Sequence, residues 1–329
     1  MPRKFLIIGA GLAGTLTAWE LRKRGEYFTV YDSGAASASR VAAGLFNPVS
    51  FKRIVEVWNV EEHIRVMLDT YYEIESSIGA KILNKTPIMK VFPNKQYRDH
   101  WQARIEKKHD VAKWLSPISN KAPEGVVAPF GVGYVEEAGW VNLPAMIDGV
   151  RKLLVEEERF EKRSWSISDG VPQGFDAVID CRGVGAKVDL NKIGYKLAAD
   201  HGEVLTMKSE SLDLNGNTLN RVKWLMPFEK ETLKLGATYE WGVEESKPTE
   251  SGKKEIIEAL SPALSQEIFD KMELVNHQSG LRPTSHDRRP YVGEIQPGVF
   301  ILNGLGTRGV LVAPATVKRL VSNLFQLIL

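Results

Sequence analysis

A glycine pattern directly behind an apolar segment constrains the fold of this chain more than any other feature. The segment Phe5–Ile8 is continuously apolar and is followed at once by the letters GAGLAG. These letters place glycines at Gly9, Gly11 and Gly14, the spacing G-x-G-x-x-G, and a helical pattern follows them. A second apolar segment then ends just before Asp32. This order is typical of a βαβ unit that binds a dinucleotide: a strand, a glycine turn, a helix, a second strand and an acid.

Each glycine in this turn has a separate role in binding a dinucleotide. Gly9 permits the tight turn, Gly11 lets a pyrophosphate approach the backbone, and Gly14 allows the helix to pack closely on the strand. Leu12 and Ala13 open the helix, where backbone N–H groups and the helix dipole favour an anion. A glycine-rich turn without a ligand is the alternative interpretation, and the acid at the expected place disfavours it.

Asp32 is the residue that would select the nucleotide. Its carboxylate is placed to accept hydrogen bonds from the adenosine ribose, and an acid there disfavours the 2′-phosphate of NADP. The fingerprint itself serves both NAD and FAD. Its position near the start of the sequence favours a flavoprotein, and no second G-x-G-x-x-G follows a predicted strand. The residues therefore favour FAD and leave an NAD-linked dehydrogenase or reductase as the alternative.

A segment rich in small residues, SASRVAAGLFNP over 37–48, follows the acid. Small side chains let the backbone approach a flat aromatic ligand closely, whereas a tight loop without a ligand explains the same composition. The segment by itself leaves these two interpretations open. Its predicted cofactor contacts are Ser39, Arg40, Ala42, Ala43 and Gly44.

Composition excludes several other classes of function. The 43 basic and 41 acidic residues give a formal net charge of +2, so no overall positive field marks a nucleic-acid-binding protein. The one cysteine, Cys181, excludes an internal disulfide framework and a thiolate metal cluster, and the histidines lack metal-ligand spacing. No apolar run is long enough to cross a bilayer, and the first residues lack a signal-peptide pattern. We therefore expect no metal and a cytoplasmic location.

The remaining pattern predicts an α/β fold. Helical patterns over 54–78 and 97–115 are expected to leave the cofactor domain, and a strand at 177–180 returns to its parallel sheet. β-type runs separated by polar turns between about 203 and 238 predict an antiparallel sheet beside a substrate pocket. A loop is predicted over 279–293, before the last strand and helix.

Both predicted domains are discontinuous in sequence. A Rossmann-like FAD-binding domain comprises residues 1–50, 140–195 and 280–329. A second, α+β substrate domain, built on the antiparallel sheet, comprises residues 51–139 and 196–279. Gly183, directly behind the returning strand, is a further predicted cofactor contact.

Several segments together resemble the D-amino-acid oxidase superfamily of flavoproteins. They are the N-terminal glycine segment with the small residues behind it, WLMPFEKETLKLGATYE at 224–240, GLRPTSHDRRPYVG at 280–293 and GLGTRGVLVAPAT at 304–316. They occur in the order of the family and extend over the whole chain. Within the superfamily they resemble most closely glycine oxidase and the oxidase half of the bifunctional enzyme that modifies the wobble uridine of tRNA. The segment over about 80–135 matches no motif.

The resemblance implies three substrate-site residues. In the relatives the arginine of the GLRP segment binds the substrate carboxylate, which implies this role for Arg282. A guanidinium suits the role because it forms two charge-assisted bonds to a carboxylate and stays protonated. Arg308 resembles a residue at the flavin and substrate pocket, and Trp224 lies where the family has an aromatic pocket residue. Each residue also has an alternative interpretation without a site. The arginines could be solvated surface charges, and the tryptophan could pack in the core.

The resemblance also implies cofactor contacts around Arg308. The loop before the last helix would place its backbone against the flavin ring, with the helix amino terminus at the pyrimidine edge. Cys181 does not match the cysteine that tethers flavin in some members, so we expect FAD to be bound without a covalent link. The implied contacts are Gly304, Gly306, Thr307, Arg308, Gly309 and Val310.

The activity implied by the resemblance is oxidation of an amine. The chain would remove hydride from the carbon beside the nitrogen of a small amino acid or N-substituted glycine, and the imine would hydrolyse in water. This chemistry needs no side-chain nucleophile because the cofactor accepts the electrons. The electron acceptor, oxygen or a quinone, stays open, as does a tRNA-borne substrate. A flavin-binding protein without catalysis is a further alternative.

Overall fold

The computed structural model describes residues 3–229 and 231–327, with side chains up to Phe325. The outermost ends of the predicted FAD-binding domain, residues 1–2 and 328–329, lie outside the described residues. In chain order the strands are β1 (Lys4–Ile8), β2 (Tyr27–Tyr31), β3 (Leu45–Phe46), β4 (Val49–Ser50), β5 (Val55–Glu56), β6 (Leu83–Lys85), β7 (Ile88–Val91), β8 (Val132–Val135), β9 (Gly139–Val141), β10 (Phe160–Glu161), β11 (Ala177–Asp180), β12 (Leu197–Lys208), β13 (Thr218–Asn220), β14 (Trp224–Pro227), β15 (Thr232–Gly236), β16 (Glu240–Trp241), β17 (Glu273–Ser285), β18 (Tyr291–Gln296) and β19 (Val299–Asn303).

The helices connect these strands and cover both sheets. In chain order they are α1 (Leu12–Lys23), α2 (Ala38–Val41), α3 (Val60–Ile78), α4 (Lys95–Glu106), α5 (Leu143–Glu156), α6 (Lys187–Lys192), α7 (Glu250–Leu260), α8 (Gln266–Asp270) and α9 (Gly309–Leu327). Single turns of 3₁₀ helix lie at Asp110–Trp114, Ile167–Asp169, Gly183–Ala186, Ser261–Ala263 and Gly306–Arg308.

A largely parallel sheet holds the amino-terminal glycine turn. Its strand order is β10-β2-β1-β11-β19-β18, and its neighbours are parallel except for β18 and β19. The chain runs from β1 to β2 on one side, while the later strand β11 lies on the other side of β1. The carboxyl end of β1 is therefore a topological switch point, where open α/β sheets bind ligands. The predicted Rossmann-like fold is confirmed.

This sheet is covered on both faces, which explains why β1 is apolar throughout. Phe5 and Ile7 pack into a core shared with α1, α3, α5 and α9. Leu6 and Ile8 pack on the opposite face with Trp165. Successive side chains of a strand alternate between faces, so a parallel sheet that is buried on both sides needs a continuous apolar run.

The predicted antiparallel sheet is also confirmed. Its order is β16-β12-β15-β14-β13-β7-β8, with β17 paired along β12, and its neighbours are antiparallel except for β7 and β13. Leu233 and Leu235 of β15 pack into a core with Ile256 and Leu260 of α7. The opposite face carries Trp224 of β14 and lines the cavity described below.

The predicted loop over 279–293 is wrong, because most of it is strand. Residues 279–285 belong to β17, which pairs with β12 from Leu197 to Lys208, and β18 begins at Tyr291. Gly280, Pro283 and the turn residues behind them look like a loop locally. Proline is tolerated because β17 pairs continuously with β12 alone. β17 is continuous through residue 280, where the sequence predicted a domain boundary. The division into two domains stays a prediction.

The two helices are shorter than the sequence patterns that predicted them. The pattern over 54–78 becomes a helix only at Val60, after β5 and Asn59, whose φ is 50°. The pattern over 97–115 breaks at Lys108, whose φ is 47°, and continues as a 3₁₀ turn. Both breaks are backbone conformations that side-chain periodicity does not reveal.

No helix in the described ranges combines the length and the apolar character needed to cross a membrane.

Lys90 of β7 is a buried lysine that has hydrogen-bond partners but forms no ion pair with an acid among the described residues. It is 4% exposed, its Nζ donates to Asn220 Oδ1 at 2.8 Å and to the carbonyl of Arg221, and it lies 4.9 Å from the ring centre of Tyr97. Burial, together with the positive charge of Arg221, lowers the pKa of Lys90 to about 7. The folded protein therefore disfavours the charged form of this amine.

We expect Lys90 to make the stability of the protein increase with pH. The pKa of an unfolded lysine is about 10.4, so between roughly pH 7 and roughly pH 10 the unfolded chain binds more protons at this residue, and stability increases with pH. The unfolding free energy of wild type minus that of Lys90→Met should therefore grow over this range in urea titrations. Lys85→Met, at an exposed position of β6, is the control. A constant difference for Lys90→Met would contradict the lowered pKa.

Candidate active site

A cavity of about 720 Å³ is lined by residues of both sheets. The first sheet contributes the carboxyl ends of β1, β2 and β11, and the second contributes β12, β14 and β17. Its volume lies in the range of roughly 300–1,000 Å³ that is usual for small-molecule and cofactor sites. The cavity therefore opens at the switch point of the parallel sheet.

The structure brings most of the predicted site residues to the wall of this cavity. The predicted cofactor contacts on the wall are Gly9, Gly11, Leu12, Ala13, Asp32, Ser39, Ala42, Ala43, Gly44, Gly183, Gly306, Thr307, Gly309 and Val310. The predicted substrate residues Arg282 and Trp224 lie there as well. Four predicted residues are not part of the wall: Gly14, Arg40, Gly304 and Arg308.

The glycines of the first turn leave no room for side chains. Gly9 has a φ of +92°, and a Cβ there would lie 2.8 Å from the carbonyl oxygen of Cys181. A Cβ on Gly14 would lie 1.8 Å from the carbonyl oxygen of Gly9, so Gly14 packs the helix onto the turn instead of lining the cavity. At Gly11 a Cβ would lie 3.1 Å from Ser37 Oγ, on the cavity wall. The missing side chains create the space that a pyrophosphate needs.

Two helix amino termini converge on this space. The backbone N–H of Leu12, at the start of α1, donates to Ser39 Oγ at 3.0 Å. Gly309, at the start of α9, is close enough that a Cβ would lie 3.1 Å from Leu12 Cδ2. Helix amino termini carry a partial positive charge and free N–H groups. This part of the cavity suits an anionic ligand.

Asp32 lies on the cavity wall at the end of β2. Its Oδ2 accepts a hydrogen bond from Arg151 Nη2 at 3.0 Å. Its second carboxylate oxygen has no protein hydrogen-bond partner within the described ranges, and the side chain is 17% exposed. The carboxylate can therefore accept from a ribose hydroxyl as the sequence predicts.

Arg40 points away from the cavity. Its guanidinium forms two hydrogen bonds with Asp148 of α5, at 3.2 and 2.5 Å. These bonds raise the pKa of Arg40 and lower the pKa of the Asp148 carboxyl. The small-residue segment is thereby tied to α5, a contact between distant parts of the chain that the local sequence could not reveal.

Arg308 ends the 3₁₀ turn before α9 and lies outside the cavity lining. Partial burial of its guanidinium, with the positive charges of Arg288 and Arg53, lowers the pKa of Arg308, although the residue as a whole is exposed. Gly304, with a φ of +72°, turns the chain into this loop and packs against Ser285. The loop contributes Gly306, Thr307 and Gly309 to the cavity wall.

Arg282 is held on the cavity wall by contacts from three directions. Its Nη1 donates to the carbonyl of Thr238 at 3.3 Å and lies 3.7 Å from Asp200 Oδ1. Its guanidinium carbon lies 4.8 Å from the ring centre of Tyr239. Burial raises the pKa of Asp200, against the opposing effect of Arg282. Arg282 is thus preorganised and still presents N–H groups to the cavity.

Gly202 is a site residue that the sequence alone did not indicate. It pairs with Gly280 in the β12–β17 ladder, two residues from the pair of Asp200 and Arg282 and on the same face. A Cβ on Gly202 would lie 1.8 Å from Arg282 Nη2. The guanidinium therefore occupies the volume that any larger residue would fill. Only the strand register reveals this role.

Aromatic rings border the arginine. Trp224 lines the cavity, and a Cβ on Gly236 would lie 2.8 Å from its ring. Tyr239 also lines the cavity and is 53% exposed. Trp224 belongs to an apolar cluster with Ala43, which connects the substrate side to the small-residue segment. Tyr239 was not predicted; its position after the GAT of the 224–240 segment was the available signal.

Among the described residues, Cys181 and the acidic groups at the site do not form a cluster of metal ligands. Cys181 lines the cavity but is buried, and burial raises the pKa of its thiol. No cluster of three or more potential metal ligands occurs in the part of the chain that the structure describes.

We expect Gly202→Ala to weaken carboxylate binding by about tenfold or more, because the new methyl group displaces the Arg282 guanidinium. A displacement of about 1 Å at a positioning group can cost up to about a hundredfold. Calorimetric titration with acetate measures the affinity, and thermal unfolding checks the fold. Gly185→Ala is the control, since its Cβ would meet nothing closer than 3.5 Å. Equal acetate affinity in both variants would refute the positioning role.

Comparison with known proteins agrees with this geometry. The chain matches the profile of the DAO family, described as FAD dependent oxidoreductase, over residues 4–322. A glycine oxidase from Pseudomonas aeruginosa is 22% identical, with 97% of this chain and 94% of that protein covered. The tRNA 5-methylaminomethyl-2-thiouridine biosynthesis bifunctional protein MnmC from Legionella pneumophila is 24% identical over 89% of this chain, but the match spans 46% of that protein.

Solved structures show the same fold. Glycine oxidase from Geobacillus kaustophilus has a TM-score of 0.80 at 19% identity, with 98% of this chain and 95% of that chain covered. Iminodiacetate oxidase from Chelativorans sp. has a TM-score of 0.81 at 19% identity, with the same coverage. Since the family profile extends over nearly the whole chain, FAD is the cofactor and the NAD-linked alternative is wrong. The glycine turn at the switch point and Arg282 line the same cavity. The chain belongs to the DAO family of FAD-dependent oxidoreductases.

Proposed function

We propose that this oxidoreductase oxidises the carbon–nitrogen bond of a small amino acid or an N-substituted glycine to an imine. The observation that carries the proposal is the Arg282 guanidinium on the cavity wall, held by Asp200, Thr238 and Tyr239 with room provided by Gly202. A fixed guanidinium on a cofactor cavity favours a substrate with a carboxylate.

The residues of the first sheet fit FAD. When bound, FAD supplies the acceptor for the hydride that leaves the carbon beside the nitrogen. Gly11 and Leu12 would hold its pyrophosphate, and Asp32 its ribose, because these residues line the cavity where α1 begins and the glycine leaves space. Ala43 and Gly309 would lie against the ring system, since both line the cavity without bulky side chains.

We propose that FAD is bound without a covalent link. Cys181, the one cysteine of the chain, is buried behind the glycine turn, and a Cβ on Gly14 would already lie 3.5 Å from its Cβ. Burial raises the pKa of the thiol, which keeps it protonated and poorly nucleophilic. Release of free flavin on denaturation is the expected behaviour.

The side chains of the second sheet orient the substrate. Arg282 binds the carboxylate, and its contact with Asp200 keeps the guanidinium in place before the substrate arrives. Trp224, half-buried on the wall, restricts the space beside the reacting carbon and excludes water. The amine reacts as the neutral form, and orientation is the main contribution of the protein.

The named relatives support this class of substrate. Glycine oxidases and an iminodiacetate oxidase, by their names, act on small amines that carry carboxylates. MnmC is named for tRNA biosynthesis. We propose the small-molecule substrate because the Arg282 geometry favours a free carboxylate, and no comparable observation favours a tRNA.

We expect the flavin absorbance of the holoenzyme to bleach anaerobically with at least one compound among glycine, sarcosine and a panel of D-amino acids. Arg282→Gln should lower kcat/KM for that compound by at least about a hundredfold, since removing one partner of a buried charge pair costs roughly 2–5 kcal/mol. Stopped-flow absorbance measures both effects. Reoxidation by oxygen or by a quinone then identifies the electron acceptor.

The control is Arg65→Gln, which removes an exposed arginine of α3. It should bleach as wild type does. If Arg282→Gln bleaches at the wild-type rate and concentration dependence, the carboxylate role is wrong. If the flavin-loaded protein bleaches with none of these compounds, the proposed substrate class is wrong.

A further inference from the structure

A β-bulge separates β15 from β16, where both strands pair with β12. Val204 of β12 pairs with Gly236, at the end of β15, and His201 pairs with Glu240, at the start of β16. Between these two pairs, two residues of β12 face the three residues 237–239, which we call the 237–239 bulge. Bulges are common next to active sites, where the extra residue redirects the groups around it.

The bulge lies where the side chain of Arg282 ends. This side chain extends from β17 across Gly202 of β12, since a Cβ on Gly202 would lie 1.8 Å from Arg282 Nη2. Arg282 Nη1 then donates to the carbonyl of Thr238 at 3.3 Å. Ala237 and Tyr239 line the cavity, whereas Thr238 between them is 3% exposed. The position of the guanidinium therefore depends on the direction in which the bulge turns one carbonyl.

The hydroxyl group of Thr238 fixes the bulge to β12. Thr238 Oγ1 accepts the backbone N–H of Glu203 at 2.9 Å, in a buried hydrogen bond. Glu203 is itself buried, and its carboxylate accepts the backbone N–H of Thr249 at 2.9 Å and the Thr249 hydroxyl at 2.7 Å. Because a buried backbone N–H needs a partner, the bond to Thr238 keeps the bulge at one place along β12.

A lysine holds the bulge from the side of β14. Lys223 lies directly before β14 and is 8% exposed, and its Nζ donates to the carbonyl of Ala237 at 2.6 Å. The same Nζ lies 2.6 Å from Glu255 Oε1 of α7 and 5.4 Å from the ring centre of Tyr239. A charged donor forms a stronger hydrogen bond than a neutral one. Lys223 therefore fixes the carbonyl next to the one that binds Arg282.

We infer that Thr238 and Lys223 are positioning residues: they fix the 237–239 bulge so that the Thr238 carbonyl holds the Arg282 guanidinium where the substrate carboxylate binds. This inference rests on the proposed function, because it concerns how the same carboxylate site is built. Neither Thr238 nor Lys223 lines the cavity, so both act through Arg282. A displacement of about 1 Å at a positioning group can cost up to about a hundredfold.

Calorimetric titration of the flavin-loaded holoenzyme with acetate tests the role of Thr238. Thr238→Val keeps the shape of the side chain but removes the acceptor, and we expect the dissociation constant of acetate to rise about tenfold. Thr238→Ser keeps the hydroxyl and should bind acetate within about twofold of wild type. The affinity for FAD should be the same in both variants as in wild type, since residue 238 does not line the cavity.

Thr218→Val is the matched control for Thr238→Val. Thr218 lies on β13 of the same sheet and is buried, and its Oγ1 has no hydrogen-bond partner among the described residues. This variant should bind acetate as wild type does.

Lys223→Met tests the bulge independently of Thr238. It should also raise the dissociation constant of acetate about tenfold, because the Ala237 carbonyl loses its donor. Lys90→Met, which removes a buried lysine of β7 in the same sheet, is the control and should keep the acetate affinity of wild type. If Thr238→Val does not fold, the comparison of these two lysine variants decides by itself.

The possible outcomes separate this inference from the proposed function. If wild type does not bind acetate, the carboxylate site is wrong, and its positioning fails with it. If wild type binds acetate and both Thr238→Val and Lys223→Met bind it equally well, the positioning role is refuted while the carboxylate site stands. A loss in one of these variants alone limits the role to that residue. A loss that Thr238→Ser shares with Thr238→Val overturns the role of the hydroxyl.

Discussion

The long pairing of β12 with β17 is the interaction on which the substrate side of this protein depends. It brings Asp200 opposite Arg282 and Gly202 opposite Gly280, although the members of each pair are about eighty positions apart in sequence. A shift of one residue would turn Arg282 to the other face of the sheet, because side chains alternate along a strand. The register therefore decides whether the guanidinium reaches the cavity at all.

The cofactor side depends on a different constraint, the close approach of backbones that only glycine permits. Gly14 packs α1 onto the turn at Gly9, and this packing aims the amino terminus of α1 at the switch point beside β1. The amino terminus of α9 arrives at the same place from the other end of the chain. Two helix amino termini, each with a partial positive charge, therefore face the space beside the switch point.

Charge at the substrate side is distributed unevenly. Asp200 Oδ1 lies 3.7 Å from Arg282 Nη1, whereas Arg288 and Arg308 form no ion pair among the described residues. Asp200 and the carbonyl of Thr238 therefore hold the Arg282 guanidinium in place before a carboxylate arrives.

The sequence by itself determined the cofactor half of the molecule, because the βαβ fingerprint is local: strand, Gly9, Gly11, helix and Asp32 follow one another in the chain. It also indicated Arg282, through a resemblance that extends over the GLRP segment. Only the tertiary structure decided that Arg40 binds Asp148, that Gly202 makes room for Arg282 and that β17 replaces a predicted loop. These features arise from pairing between distant strands and helices, and the free energy of such contacts leaves no trace in local periodicity.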